Sequence, residues 1–150
     1  MKLEDEIKQS KFESNYQKAI INIIYTANWV RDQQMEVFKA FDVLPQHYNV
    51  LRIIKGKHPN PCSPGEIKEV MLDKGNDVTR LVDKLVKKGL VKRILCESNR
   101  RKVDITLTEK GSTFLKELND PMKKQLSVMK KNISEKEAAF LSNILDKLRV

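Results

Sequence analysis

The sequence of 150 residues contains neither a membrane-spanning run nor a disulfide framework. Its apolar stretches fall short of the roughly 20 residues needed to cross a bilayer. The N-terminus, MKLEDEIKQSKFES, lacks the apolar segment of a signal peptide. Two cysteines, Cys62 and Cys96, are too few for a disulfide-stabilised scaffold and suit a reducing compartment. We therefore expect a cytoplasmic protein without a membrane partner.

The sequence also lacks the motifs of common catalytic and metal sites. The patterns G-x-S-x-G, H-E-x-x-H and the phosphate loop are absent, and His47 and His58 have no evident acid or nucleophile partner. His58 and Cys62 are four residues apart, but Pro59 and Pro61 prevent the helical face that would align them. A tetrahedral metal site needs three or four converging ligands. We expect no enzyme, no metal site and no cofactor.

Charge is abundant in this sequence, and it is unevenly distributed. Charged residues make up 33% of the chain and hydrophobic residues 40%, a composition typical of one helix-rich domain. The net charge is +9. Between Lys74 and Lys102, ten lysines and arginines outnumber three acidic residues, so this segment alone carries +7. Such a basic cluster predicts a polyanionic partner.

Apolar residues recur at helical spacing on both sides of the basic segment. A second helix is predicted over Pro45–Lys57 and a short third helix after the capping box Ser63–Glu66. Thr108 should cap a later helix that Pro121 kinks or interrupts, and the capping box Ser134–Glu137 should open the last one. One long N-terminal helix is predicted from the apolar stripe Phe12, Tyr16, Ile20, Ile23, Ala27 and Val30.

The stretch from Asp77 to Gly111 combines a helix with a β-hairpin. Asn76 or Asp77 can cap the helix, which ends at Gly89 and turns inward the residues Val78, Leu81, Val82 and Leu85. Strands are predicted, on either side of an arginine-bearing turn, over residues 90–95 and 102–107. A helix and a β-turn that share one basic surface can contact both grooves of a DNA duplex. DNA binding is therefore the leading functional hypothesis.

The order of these motifs is characteristic of a known family. Along the chain come VTRLVDKLVKKGLV (Val78–Val91) and NRRKVDITLTEKG (Asn99–Gly111), between long helices. This combination resembles the MarR family of bacterial transcriptional regulators over nearly the whole chain. The resemblance implies a mainly α fold with a small β-hairpin wing (α+β), a winged helix-turn-helix. Residues 43–111 would form the DNA-binding module, and residues 1–42 and 112–150 the long N- and C-terminal dimerisation helices.

The resemblance also implies which residues contact DNA. The recognition helix, from about Asn76 to Lys88, would lie in the major groove, and the wing turn 96–102 would reach the minor groove. Arg101 takes the position of the arginine that family wings insert into the minor groove. The implied DNA-binding residues are Asn76, Asp77, Thr79, Arg80, Lys84, Asn99, Arg100, Arg101 and Lys102. The alternatives are a hydrogen bond of Thr79 within its own helix and an ordinary solvated face for the lysines.

Two residues depart from the pattern of the MarR family, and a third is not expected to touch DNA. Asn99 replaces the aspartate that commonly starts the Asp-x-Arg of family wings, so a neutral hydrogen bond would substitute for an ion pair at the wing tip. Leu44 stands where the family usually offers a hydroxyl to cap the second helix. Asp83 points outward from the recognition helix, and we expect it to pair with a nearby cation rather than to touch DNA.

A homodimer on double-stranded DNA follows from the size of the module. One module reads only a few base pairs, whereas a two-fold dimer places two recognition helices about 34–36 Å apart and predicts an inverted-repeat operator. The apolar faces of the terminal helices would form the interface. We expect a repressor, with an effector-independent architectural DNA binder as the alternative.

MarR relatives commonly release DNA when a small aromatic or phenolic anion binds between the dimerisation and DNA-binding regions, and some respond to oxidants. The candidates for such a pocket are Tyr25, Trp29, Arg31, His47 and Tyr48, with core packing as the alternative for the aromatic residues.

A redox-responsive regulator would use Cys96, which lies close to arginines, or Cys62. The peroxide-sensing relatives carry their reactive cysteine in the first helix, where this chain has none.

Overall fold

The computed structural model of the chain describes residues 1–96 and 99–149, and for residues 96 and 99–102 it describes the backbone alone. The described part is mainly helical with one two-stranded antiparallel hairpin, which confirms the predicted fold class. In chain order the elements are α1 (Leu3–Glu6), α2 (Asn15–Lys39), α3 (Pro45–Lys57), α4 (Pro64–Val70), α5 (Val78–Lys87), β1 (Val91–Cys96), β2 (Asn99–Leu107), α6 (Glu109–Asn132) and α7 (Glu135–Leu148). Within that part, no helix is both long and apolar enough to cross a membrane.

Two groups of buried side chains hold these elements together. The larger group joins α3, α4, α5 and the hairpin to the first turns of α6, and it includes Val50, Leu51, Ile54, Ile67, Val82, Leu85, Ile105 and Leu115. The smaller group consists of Phe38 at the end of α2, Val43 and Leu118 of α6. Tyr48 packs against both groups. The central module therefore has its own core, and the smaller group fixes the long helices α2 and α6 to it.

The helix starts follow the predicted capping residues. The side chains of Ser63, Asp77, Thr108 and Ser134 each accept a hydrogen bond from the backbone N–H three residues later. Asp77, not Asn76, caps α5. At α3, Leu44 has no capping side chain, and its backbone N–H instead donates to Nδ1 of His47 at 2.9 Å. A histidine thus replaces part of the missing cap.

One prediction about the long helices was wrong, and one of two alternatives at Pro121 was excluded. The N-terminal third is not one helix, because Ser14 caps a new helix by accepting from the Gln17 N–H. Phe12 therefore lies outside α2, where its ring is 5.7 Å from the Lys18 ammonium. Pro121 does not interrupt α6, which continues to Asn132. Leu118, before the proline, is a buried member of the smaller core group, and Met122, after it, packs against that group.

The base of the hairpin bonds to the connector between α3 and α4 and follows directly after α5. β1 and β2 pair in the register Val91↔Leu107 to Leu95↔Val103. On the outer side of β2, the N–H and C=O of Ile105 both bond to the backbone of Cys62 at 2.9 Å. Gly89, with φ 71°, allows the reversal between α5 and β1. β1 thus begins, and β2 ends, directly beside the end of α5.

Candidate nucleic-acid interface

Helix α5 has one buried face and one exposed face. Val78, Leu81, Val82 and Leu85 are buried against the module core, as predicted. Thr79 and Lys87 are exposed, and the side chain of Arg80 is 88% exposed. A helix anchored by its apolar side presents these polar groups at fixed positions. This is the geometry that major-groove recognition requires.

Two other predicted contact residues form the start of this helix. Oδ1 of Asp77 accepts from the Arg80 N–H at 3.2 Å, and its other oxygen lies 3.4 Å from Arg80 Nε. Asn76 donates its side-chain amide to the carbonyl of Asp73 at 3.2 Å, and its own carbonyl accepts from Lys68 Nζ at 2.6 Å. Both residues therefore fix the turn that orients α5. Both side chains already have protein partners, whereas Arg80 remains 88% exposed despite its contact with Asp77.

The C-terminal half of α5 carries ion pairs to two different parts of the chain. Asp83 accepts from Arg93 of β1 at 2.8 Å, in line with the expectation that it pairs with a cation. Lys84 lies 3.5 Å from a carboxylate oxygen of Asp42, and Lys88 lies 2.7 Å from the other. These two lysines lower the pKa of the Asp42 carboxyl, with the Lys88 hydrogen bond as the main cause. The Lys84 side chain is thus partly exposed to solvent while its ammonium group pairs with Asp42.

The ion pair between Arg93 of β1 and Asp83 of α5 holds the base of the hairpin beside α5. The backbone register of the hairpin pairs Cys96 with Asn99, with an irregularity between Leu95 and Cys96. The side chains of the predicted wing contacts fall outside the described residues; they are Asn99, Arg100, Arg101 and Lys102. The structure therefore locates the hairpin but not its predicted DNA-binding side chains.

Comparison with known proteins agrees with this arrangement. A model of the MarR family matches residues 41–102, which contain the helix-turn-helix and most of the hairpin. A structure of a MarR transcription factor from Planctomyces limnophilus is similar over 91% of this chain and 98% of its own, with 29% identity and a TM-score of 0.71. Residues 41–102 thus match the MarR family, and the chain as a whole has the fold of a MarR transcription factor.

Two further MarR-type relatives extend the comparison. The HTH-type transcriptional regulator PapX of Escherichia coli is 28% identical over 119 residues, which are 79% of this chain and 73% of PapX. A MarR variant from Escherichia coli, solved in complex with operator DNA, has the same fold with a TM-score of 0.73. It is 24% identical and covers 99% of both chains. The similarity in fold thus includes the terminal helices of this chain.

The predicted effector-pocket residues do not gather in one place. Tyr25 and Trp29 line a cavity of about 460 Å³ between α1 and α2, where the Tyr25 hydroxyl donates to Glu6 at 2.9 Å and its pKa is raised by that bond. Arg31 is exposed, 3.7 Å from Asp32. The cavity does not include His47 or Tyr48 among its lining residues.

His47 and Tyr48 belong to the interior of the module. Tyr48 packs on Phe38 with ring centroids 5.1 Å apart, as the core-packing alternative proposed. His47 is buried, and burial followed by the nearby charges of Lys84 and Lys88 lowers its pKa. A neutral His47 matches its role as acceptor for the Leu44 N–H. The predicted five-residue pocket is therefore not formed by this chain alone.

A larger apolar groove lies between α2 and α6. It has a volume of about 530 Å³ and is lined by residues that include Trp29, Val37, Phe41, Pro121, Met122 and Met129. Of these residues, only Trp29 was predicted from the sequence as an effector contact. Pro121 was visible in the sequence, but the position of its helix opposite α2 depends on long-range packing.

The two cysteines differ in accessibility. Cys62 is fully buried, and burial raises the pKa of its thiol, so it is a poor redox candidate. The side chain of Cys96 lies outside the described residues. Among the described residues, no group of three or more histidine, cysteine and acidic side chains is placed to hold a metal ion.

Proposed function

We propose that this chain is a homodimeric, sequence-specific transcriptional repressor of the MarR family, acting on an inverted-repeat operator in the cytoplasm. In the proposed complex, α5 enters the major groove and the hairpin reaches the adjacent minor groove. The observation that carries the proposal is the exposed face of α5, which presents Thr79 and Arg80 beside a hairpin tied to the same helix by Arg93 and Asp83. The operator complex of the related Escherichia coli protein supports it. The function needs no catalytic group or cofactor.

The proposed DNA contacts divide into base-reading and phosphate-binding groups. Thr79 and Arg80 are the proposed base contacts, because they project from the first turn of α5. Lys84, Arg100 and Lys102 are proposed phosphate contacts, and Arg101 the minor-groove contact. Asn76 and Asp77 act by holding the start of α5. Asn99 is proposed to hold the wing tip by a hydrogen bond.

Exposed apolar side chains on the terminal helices support a dimer. Aliphatic and aromatic residues at 44–84% exposure line α2 and α7 of the isolated chain: Tyr16, Ile20, Ile24, Phe140, Leu141 and Ile144. Apolar surface of this extent on a single chain is typical of an interface. Light scattering should give a mass of twice 17.4 kDa. A monomeric mass at micromolar concentration would rule out the two-fold arrangement.

The DNA-binding proposal is tested on the promoter of the protein's own gene and on scrambled DNA of equal length. We expect affinity for the promoter to fall about 10³–10⁵-fold between 50 and 200 mM salt if about 6–10 phosphates are neutralised. Arg80→Ala should cost about 1–3 kcal/mol of specific binding, whereas Arg52→Ala, an exposed arginine on α3, should cost much less. Equal affinity for both DNAs at physiological salt would favour the architectural alternative.

We also propose that an aromatic or phenolic ligand releases the DNA. The groove between α2 and α6 supports this, because its lining is apolar and includes Trp29 and Phe41. A thermal-shift screen with phenolic acids and peroxide, followed by DNA-release assays, tests it. Release by peroxide that Cys96→Ser abolishes would instead support the redox alternative; no hit in either class argues against a sensor.

A further inference from the structure

Asp42 connects the end of α2 to helix α5. Its Oδ2 accepts a hydrogen bond from Lys88 Nζ at 2.7 Å, and its Oδ1 lies 3.5 Å from Lys84 Nζ. Lys84 and Lys88 are four residues apart, so they lie one helical turn apart on the same face of α5. The Asp42 carboxylate therefore spans one turn of the proposed recognition helix.

The turn that carries Asp42 is held by the smaller core group. The backbone N–H groups of Phe41 and Val43 both donate to the carbonyl of Phe38, at 3.0 and 3.3 Å. Phe38 and Val43 are 1% and 4% exposed and pack with Leu118 of α6. Asp42 itself has φ 50°, in the left-handed region that Asp and Asn adopt more readily than most residues. The carboxylate is thus placed by a turn anchored to the long helices.

The other contacts of α5 are to its own module and to α6. Its apolar face packs in the larger core group, and Asp83 binds Arg93 of the hairpin. Asp42 is different, because it lies on the segment that leaves α2. In a two-fold dimer built on the terminal helices, a rotation of the module relative to α2 changes the separation of the two α5 helices. A contact between α2 and α5 restricts that rotation.

We propose that Asp42 is a positioning residue that fixes α5 relative to α2 and so sets the half-site spacing that the dimer accepts. The inference rests on the proposed function, since it needs a dimer on an inverted repeat. Each added base pair moves one half-site by about 3.4 Å and turns it by about 34°. A dimer with rigid modules accepts one spacing, and a dimer with looser modules accepts neighbouring spacings.

The substitution Asp42→Asn separates positioning from simple charge. Asparagine tolerates the left-handed backbone, so the turn is kept while the carboxylate charge is removed. Glu69→Gln is the matched control, because it removes one negative charge from an exposed position on α4 of the same module. Lys88→Gln removes the closer partner of Asp42 without altering the turn. If Asp42 acts only by neutralising the charge of nearby cations, its loss should raise the affinity for inverted repeats of every half-site spacing.

The experiment is an in vitro selection from a random duplex library, run in parallel with the full-length wild type and the three variants. We expect the wild type to enrich an inverted repeat with one spacing, and Glu69→Gln to keep that spacing. Asp42→Asn and Lys88→Gln should enrich the same half-sites at neighbouring spacings. The ratio of enrichment between the best half-site spacing and its neighbours should fall about two- to fivefold per protomer, because partly exposed ion pairs contribute modestly to the free energy.

The outcomes separate a failure of this inference from a failure of the proposed function on which it rests. If the wild type enriches no inverted repeat, the proposed function fails and the inference fails with it. If the wild type selects one spacing and both variants keep it, only the role of Asp42 is overturned, whatever happens to their affinity. If Asp42→Asn does not fold, as judged by circular dichroism, Lys88→Gln decides the question alone.

Discussion

Replacing Gly111 with alanine tests how closely α6 approaches the hairpin. An added Cβ would lie 2.0 Å from the carbonyl oxygen of Leu90, 3.0 Å from its carbonyl carbon and 2.9 Å from Cδ1 of Leu107. Carbon and oxygen atoms attract best at separations above about 3 Å, so the start of α6 must move by about 1 Å. Two of the three neighbours are backbone atoms, and a side-chain rotation therefore cannot relieve the contact.

The displacement also affects Thr108, the cap of α6. Its hydroxyl donates to the Gly89 carbonyl at 2.7 Å, and its N–H donates to the Leu90 carbonyl at 3.1 Å. Overpacking costs about 1–3 kcal/mol, and a weakened hydrogen bond costs about 1 kcal/mol. The better helix propensity of alanine offsets about 1 kcal/mol. We expect the free energy of unfolding to fall by about 1–3 kcal/mol, or about 2–4 °C in Tm for each kcal/mol.

Urea and thermal unfolding at equal protein concentration measure this difference, since the Tm of a dimer depends on concentration. Gly56→Ala is the matched control. Gly56 lies within α3, and an added Cβ there meets no heavy atom within 4 Å. The same chemical change should therefore be neutral or raise stability by up to about 1 kcal/mol. The packing argument is refuted if Gly111→Ala proves as stable as Gly56→Ala.

Three further predictions concern single side chains. Hydrogen bonds from Lys57 and Ser63 lower the pKa of Glu66 to about 2, so its contribution to stability is present above about pH 4.5 and is lost as the pH falls toward 2; an NMR titration midpoint near 4.5 would contradict this. In a Cys96→Ser variant, the buried Cys62 thiol should react with a thiol reagent only after denaturation, and rapid reaction of the native protein would contradict its burial. Asp77→Ala should cost about 1 kcal/mol in urea unfolding and Asp77→Asn much less, because asparagine also caps helices; equal losses would show that the cap is not the cause.

Local signals in the sequence predicted the central module well. The spacing of Ser63 and Glu66 defined the start of α4, and Gly89 defined the end of α5. The strand limits differ by a few residues, since β2 begins at Asn99 rather than at Lys102. These features depend on neighbours within one or two turns of chain. The same holds for the inward face of α5, whose apolar residues are three and four apart.

Features that depend on distant parts of the chain were not predictable in the same way. Asp42 and Lys88 are 46 residues apart, and nothing in either neighbourhood indicates their contact. Gly111 and Leu90 approach each other only when α6 packs on the hairpin. The effector candidates were selected by residue type, yet Tyr25 and Tyr48 belong to different parts of the fold. The division of the N-terminal helix was missed because the stripe through Phe12 outweighed the cap at Ser14.

The pairing of Cys62 with Ile105 has a consequence for solubility. A two-stranded hairpin has two open edges, and an open edge can pair with a strand of another molecule. The connector between α3 and α4 occupies the outer edge of β2 at Ile105. Its prolines at 59 and 61 have no N–H to extend that pairing. The connector therefore keeps a neighbouring molecule's strand from pairing with the outer edge of β2 at the base of the hairpin.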